Sequence, residues 1–403
     1  MLKLAFRNVF RHKLRTAMTL AAIIFGVVGL TLSGGFVEDI FYQLGETLIH
    51  SQSGHIQVSR AGFQASGRRS PEKFLIDRPD SLRKLLQDQP QVDDVMARIN
   101  FSGLLSNGRS DWPIVGEGVE ADKEAKLGTS IEMTAGRALS KRDTYGTVIG
   151  EGVARALKLR QGDRVTLLLN TAEGALNTME FTVVGLSQSF SKDYDARSVR
   201  IPLAAAQELL GTQGVNNLVI SLKRTEDTQQ VAATLRRQID GRTYEVLRWQ
   251  ELNDFYARAV ELYERQFGIL QFIILVLVLL SVANSVNMSV FERVGEFGTM
   301  MALGNRSGAV FRLVLAENAL LGLSGGLLGV VIGLMLAWAI SAIGIPMPPP
   351  PGSNFGYTAQ IRVLPGTLLM AFCVGVSATL LAALFPARRV SRIPVAKALL
   401  QNY

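Results

Sequence analysis

A single cysteine, Cys373, occurs in the 403 residues, so no disulfide can close within the chain, whatever the redox state around it. Three histidines, His12, His50 and His55, lack the spacing of a metal-ligand set, and no metal site is expected. No Gly-x-x-x-x-Gly-Lys-Ser/Thr segment is present, so the chain has no phosphate loop with which to hold ATP. Carboxylates do pair, at Asp93 with Asp94 and at Asp193 with Asp195. Each pair lies in a polar turn without a histidine beside it and reads as a solvated loop, so no catalytic residue is expected. Charge is also scarce: 19% of residues are charged against 48% hydrophobic, proportions that suit a membrane protein carrying a sizeable soluble region.

Uncharged apolar sequence is what the chain has in quantity. Gln266 to Phe291 is 26 residues without a charge, more than the about 20 that a helix needs to cross a bilayer core. Thr16 to Val37, Ala319 to Ile345 and Val363 to Phe385 are further runs of this kind, the last ended by Pro386. The first reads as a span, not a cleaved signal, because Val37, Ile40, Phe41, Leu44 and Leu48 continue its helical stripe. A formal charge of +8 would suit a nucleic-acid partner, but its distribution excludes one. Glu46 to Arg265 holds 29 basic and 29 acidic residues, so the whole excess lies on the flanks of the apolar runs. Lys3, Arg7, Arg11, Lys13 and Arg15 precede the first run. Arg293, Arg306 and Arg312 lie between the second and third, and Arg388, Arg389, Arg392 and Lys397 follow the fourth. Such basic flanks face the cytoplasm, which puts both termini there and the large central region outside.

The expected fold is four transmembrane α-helices plus a large α+β domain inserted between helices 1 and 2, with helical stalks. The partition is 1–15 cytoplasmic interfacial helix, 16–37 first span, 38–265 stalks and external domain, and 266–290 second span. It continues with 291–312 short cytoplasmic helix, 313–345 third span, 346–362 external loop, 363–386 fourth span and 387–403 cytoplasmic tail. In the short helix Val290, Val294, Phe297 and Met301 recur at helical spacing while Glu292, Arg293 and Glu296 point elsewhere. Gly304 before Asn305 suits a left-handed cap, and Ser307 is placed to cap the next helix. In the third span Gly322 and Gly326, and separately Gly325, Gly329 and Gly333, fall four apart and offer smooth faces for helix packing. The run Pro346 to Gly352, rich in proline, reads as a stiff extended spacer.

Externally, strands are expected at His55–Ser59, Ile99–Ser106, Trp112–Gly116, Thr147–Gly150, Arg164–Asn170, Met179–Leu186, Val199–Pro202 and Asn217–Leu222. Helices are expected at Asp80–Gln89, Gly152–Leu157, Leu203–Leu210 and Asp227–Ile239. Two amphipathic stalks, Val37–Ile49 and Leu252–Phe267, join this domain to the spans, the second with Leu252, Phe255 or Tyr256, Ala259 and Leu262 or Tyr263 as its apolar stripe.

Glu292, Arg293, Glu296, Phe297, Gly298, the Ala302-Leu303-Gly304 triplet and Glu317 together resemble the FtsX-like permease domain of ABC transporters, the group containing MacB, FtsX and the Lol lipoprotein-releasing permeases. RNVFRHKLRTAMTL before the first span and PARRVSRIPVAKALL after the fourth resemble the same family, and Gly162-Asp163, FTVVG and IPLAAAQELL resemble its MacB-like periplasmic domain. One departure is Met301, where many relatives carry a basic residue.

The resemblance implies that the short helix is a coupling helix docking on a separate ABC ATPase subunit through Glu292, Arg293, Glu296, Phe297, Gly298, Ala302, Leu303 and Gly304. That subunit would bind ATP–Mg, leaving this chain without a cofactor and without enzymatic activity. It implies a multi-pass protein of the bacterial inner membrane that pairs with a second permease, as a homodimer or with a sister permease. Its work would be mechanotransmission: ATP hydrolysis moves the external domain and extracts or moves envelope lipoproteins or lipids. MacB-like peptide or drug efflux and FtsX-like activation of a periplasmic peptidoglycan hydrolase are the alternatives. A hairpin from Asn170 to Met179, with Glu173, Gly174 and Leu176 at its tip, occupies the place where lipoprotein-releasing permeases hook a periplasmic carrier or adaptor, but it is shorter and lacks proline. Membrane lipid is the remaining expected partner.

Overall fold

The computed structural model describes residues 6–8, 11, 13–67, 70–171, 173–349, 352–395 and 398. Most of the expected interfacial helix at 1–15, and the tail past 395 apart from Ala398, lie outside the described residues. In chain order the elements are α1 (Lys13–Leu48), β1 (Ile56–Arg60), α2 (Pro79–Gln87), β2 (Val92–Ser106), β3 (Asp111–Val119), α3 (Ala121–Leu127), β4 (Glu132–Gly136), β5 (Gly146–Gly150), α4 (Glu151–Leu157), β6 (Arg164–Asn170), β7 (Leu176–Gln188) and α5 (Lys192–Asp195). There follow β8 (Ser198–Pro202), α6 (Leu203–Leu210), β9 (Asn217–Leu222), α7 (Thr228–Gln238), β10 (Tyr244–Arg248), α8 (Trp249–Leu252), α9 (Asp254–Glu292), α10 (Val294–Ala302), α11 (Ser307–Ile343), β11 (Ile345–Met347), β12 (Tyr357–Ala359) and α12 (Pro365–Ser391). Two compact units result: Met1–Phe41, Val260–Pro346 and Thr358–Tyr403 form one, and Tyr42–Ala259 with Met347–Tyr357 the other.

In the first unit α1, α9, α11 and α12 are each long and apolar enough to cross a membrane. Their glycines set the packing. A Cβ on Gly325, Gly329 or Gly333 would meet Ile23, Val27 or Thr31 of α1, whereas one on Gly322 or Gly326 would meet Thr379 or Phe372 of α12. The two stripes therefore serve two different neighbours, and backbone approach replaces side-chain interdigitation at both. Phe272, Leu277, Met335 and Trp338 stay exposed, as apolar residues facing lipid do. Two expectations fail here. Pro386 does not end the fourth helix, since α12 runs through it to Ser391. A proline costs that helix one backbone bond, and membrane helices tolerate the loss. Nor does Ser307 cap α11: it is the first helical residue, the cap position is Arg306, and no side chain caps it.

The second unit is built on a ten-stranded mixed sheet in the order β10-β1-β9-β2-β3-β8-β5-β7-β4, with β6 joined to both β2 and β7. Strand β2 organises it. Its first half pairs with β9 and its second half with β3 and β6. One core gathers Ile56, Val95, Leu218 and Leu235 beneath α2 and α7; the other gathers Ile99, Phe101, Leu105 and Phe181 with α4 and α6. Because β2 contributes to both, the two cores share one continuous backbone ladder. Strands β4 and β10 and helix α3 are not among the expected elements: Glu132–Gly136 buries no residue fully and half-buries only Met133 and Ala135, and Tyr244–Arg248 is interrupted by charge at Glu245 and Arg248.

Three further expectations are corrected in this unit. Helix α9 starts at Asp254, not Leu252, because Asn253 leaves helical geometry at ψ 87°, and Leu262 on it is exposed. Asp195 is not a solvated loop residue. It is buried and accepts from the Ser189 N–H at 2.9 Å and from Asn354 Nδ2 at 2.6 Å. The stretch after Met347 is accordingly not a free spacer: Asn354 also donates to the Ser189 carbonyl, and the Lys192 N–H donates to that of Gly352. Pro350 and Pro351 lie outside the described residues.

Candidate functional site

The long helix α9 stops at Glu292 because Arg293 departs from helical geometry, with φ −105° and ψ 13°. Helix α10 restarts at Val294 and buries Val294, Gly295, Phe297 and Gly298. Phe297 is 1% exposed and lies beneath the Arg293 guanidinium, 5.0 Å from ring centroid to Cζ. That guanidinium is itself buried. Nη1 and Nη2 donate to the two oxygens of Glu317 on α11, and Nε donates to Glu296 at 3.1 Å. Arg11 donates to the other oxygen of Glu296 at 3.0 Å, and Asn8 Nδ2 donates to Glu317 at 2.7 Å. Charges alternate along the row Arg11, Glu296, Arg293, Glu317, so every member has a partner and burying Arg293 leaves no charge unbalanced.

At its other end α10 closes at Gly304, whose φ of +92° only glycine adopts without strain. The Asn305 N–H reaches back to the Met300 carbonyl at 3.1 Å and satisfies an end group of the helix. What remains outward is a stripe at helical spacing: Glu292, Glu296, Thr299 and Leu303, the last 80% exposed, with Ala302 and Gly304 beside it. The residues carried over by the resemblance thus divide in two. Glu292, Glu296, Ala302, Leu303 and Gly304 are exposed. Arg293, Phe297 and Gly298 are buried and fix where that stripe stands.

A second polar centre lies in the second unit, where α1 passes into a π-helical turn, Ile49–Ser53. The Ser51 carbonyl accepts from Arg200 Nη2 at 3.1 Å, and the Gln52 carbonyl accepts from Arg98 Nη1. Arg98 is 2% exposed and forks onto Glu124, while Arg200 Nε meets Glu117 at 3.1 Å. Burial pushes the Glu117 carboxyl up, but Arg200 and Arg98 outweigh it and hold the group below the ordinary range. Burial raises the Tyr194 hydroxyl, which keeps it protonated and able to donate to Glu117 at 3.1 Å. Two guanidiniums therefore cap the carbonyl end of the long helix, which favours positive charge. Spacing in the sequence does not mark these residues. The available signal was a lone arginine inside an apolar strand, in VMARINF and SVRIPL, which demands a buried counter-charge.

The β6–β7 hairpin turns at Thr171 to Ala175, with Gly174 at φ +88°. Asn170, Glu173, Gly174 and Leu176 are exposed, Leu176 to 67%. Met179 instead packs on the core. Among the described residues no three His, Cys, Asp or Glu side chains gather where they could hold a metal ion.

Residues 16–238 match the MacB-like periplasmic core domain, and residues 268–395 match the FtsX-like permease C-terminal domain. Over nearly its whole length the chain is similar to an uncharacterized ABC transporter permease of Methanocaldococcus jannaschii, at 24% identity over 96% of this chain and 94% of the relative. It is similar to the lipoprotein-releasing system transmembrane protein LolE of Haemophilus influenzae, at 23% identity over 93% of this chain and 90% of the relative. It is also similar to the macrolide export ATP-binding/permease protein MacB of Sodalis glossinidius, at 25% identity over 99% of this chain but 60% of that relative.

Proposed function

The chain belongs to the ABC transporter permeases that join a MacB-like periplasmic core domain to an FtsX-like permease C-terminal domain, and from that premise we propose that it converts ATP hydrolysis on a separate ATPase subunit into movement of its external unit, extracting or moving envelope lipoproteins or lipids. The observation that carries the reading is helix α10. Its inward face is locked by the Arg293–Glu317 pair while Glu292, Glu296, Thr299 and Leu303 form an outward stripe. A short helix pinned in this way is what a docking subunit needs if its own displacement is to reach the spans, because a loosely held helix would absorb the motion locally. The chain carries no phosphate loop, so ATP and Mg would sit on the partner. The permease would work as a pair, in the cytoplasmic membrane, with both termini inside.

The test is reconstitution in proteoliposomes with the ATPase subunit. The chain alone hydrolyses no ATP, the pair hydrolyses it, and acylated protein or lipid passes to a soluble acceptor only when ATP is present. Turnover by the chain without the ATPase subunit overturns the permease assignment of roles. A second reading, MacB-like efflux, is favoured by the hairpin at Asn170–Met179, whose tip holds no proline and only the short turn Thr171–Ala175. ATP-driven loss of a macrolide or peptide from the vesicles, without release of acylated protein, selects it.

A further inference from the structure

The external unit encloses a cavity of about 360 Å3 whose chemistry the permease function does not use. Its wall draws on the π-helical turn after α1, on β1 and β2, and on the Leu252–Asn253 break before α9. Side-chain amides recur among its polar groups. Gln57 Nε2 donates to the Ser53 carbonyl, which leaves its own carbonyl unspent, and Asn100 Oδ1 accepts from Asn217, which leaves its NH2 unspent. The amides of Gln52 and Gln64 and the hydroxyl of Ser102 make no hydrogen bond to any described residue. Gln52, Gln57, Gln64 and Asn100 are all half-buried, so donors and acceptors from separate elements converge on one concave space instead of dispersing into solvent.

Charge and backbone narrow what could fill it. Arg98 and Glu117 reach the cavity, but Arg98 is paired with Glu124 and Glu117 with Arg200, so no charge is left over for an ionic ligand. Strand β1 has partners on both sides, and where β2 passes from β9 to β6 the side chain of Asn216 takes the Asn100 backbone N–H, so little edge is left for an added peptide strand. The rings of Phe63 and Phe101 supply apolar wall. The volume lies at the lower end of the roughly 300–1,000 Å3 typical of small-ligand clefts. We propose that this cavity binds a neutral saccharide of one or two rings that carries both hydroxyl and acetamido groups, an N-acetylated amino sugar. Each carboxamide presents one donor and one acceptor group, and hydroxyl and acetamido groups complement that pairing. Arg98 both lines the cavity and donates to the Gln52 carbonyl at the end of α1, so an occupant would touch the cap of that helix.

Occupancy of this cavity does not depend on whether the permease moves lipoproteins or exports small molecules. It is tested with the full chain in lipid nanodiscs, by saturation-transfer NMR with N,N'-diacetylchitobiose as probe. Transfer to the acetamido methyls is expected from the native chain. In the double variant Gln52→Met/Gln64→Met, which keeps side-chain length and the backbone bonds at both positions, affinity falls at least about tenfold through two lost hydrogen bonds. Should that variant fail to fold, Ser102→Val at the exposed rim is expected to weaken transfer in the same direction. No transfer from the native chain, transfer unchanged in the variants, or transfer to trialanine in place of the disaccharide overturns the proposal.

Discussion

Arg293 grips Glu317 through two side-by-side hydrogen bonds, 2.7 Å from Nη1 to Oε2 and 3.1 Å from Nη2 to Oε1, with the two side chains only 9% and 10% exposed. The pair ties the start of α10 to α11, so the orientation of the outward stripe depends on it. Removing one partner leaves a buried charge short of its counter-ion, at a cost of about 3–5 kcal/mol, whereas replacing both with apolar residues of similar size costs much less. Glu317→Met should therefore lower the unfolding temperature in detergent and abolish stimulated ATP hydrolysis. Arg293→Met/Glu317→Met should recover stability but only part of the coupling. Equal stability of the single and double variants would show that the pair does not anchor α10.

Leu303, just past the end of α10, is expected to behave oppositely, changing assembly without changing stability. Leu303→Asp, at a position 80% exposed, should weaken binding of the ATPase subunit and leave melting within about 0.5 kcal/mol of the native chain. A Cβ at Gly304 meets no atom within 4 Å, so the main cost of Gly304→Val is the positive φ, about 1–2 kcal/mol. It should loosen the end of the helix and reduce stimulated turnover. Glu296→Lys reverses a charge that both Arg11 and Arg293 contact and should do both. If Leu303→Asp and Glu296→Lys leave assembly and turnover at native levels, α10 is not the docking element.

The sequence disclosed these features unevenly, for physical reasons. Arg164–Asn170, Asn217–Leu222 and Leu203–Leu210 have the bounds expected of them, because alternation or helical periodicity is clean there and turn residues flank each one. Gly304 was legible because glycine before asparagine after an apolar stripe has few other uses. The exposure of Glu296 and the burial of Arg293, three residues apart, were not legible. Both are charged, and only the position of Glu317, 24 residues away, decides which one is drawn inside. The same holds for Arg98 and Arg200, whose counter-ions come from β3 and α3. Pro386 misled because proline ends most helices in water, whereas in a bundle neighbouring helices compensate its missing N–H.

Acid should weaken the external unit through His55. Burial, reinforced by the neighbouring His50, pushes its pKa down to about 4 from an ordinary 6.5, against the opposing pull of Glu46 and Asp93. The ring is held neutral: Nδ1 accepts from the Leu222 N–H at 3.2 Å, and Nε2 lies 3.2 Å from the Thr225 hydroxyl. The unfolded chain thus takes up this proton more readily than the folded one. The stability gained by keeping His55 neutral is complete above about pH 6.5 and is lost progressively as the pH falls towards 4, amounting to roughly 3 kcal/mol over that window. His55→Gln should flatten this part of the pH dependence, measured by urea unfolding followed through the fluorescence of buried Trp249, whose backbone N–H bonds to the His55 carbonyl. An unchanged slope between pH 7 and 5 would assign the acid sensitivity to other groups.

If the permease transmits force, the helices that leave the membrane must change spacing with nucleotide state. Helices α1 and α9 extend without interruption over 36 and 39 residues, and aromatic contacts join them where Phe36 meets Phe267 at 6.3 Å and Phe41 meets Tyr263 at 6.2 Å between ring centroids. A continuous helix carries displacement along its axis, which a flexible linker would dissipate. Cys373 is the only thiol, so Cys373→Ser gives a background into which Leu44→Cys or Leu262→Cys can be placed. Disulfide formation between two copies requires Cα atoms within about 7 Å, so trapping yield reports helix spacing steeply. Yields at Leu44 and Leu262 should differ between nucleotide-free complexes and complexes held with ATP bound. Identical yields in both states, at several positions along α1 and α9, would rule out mechanical coupling through these two helices.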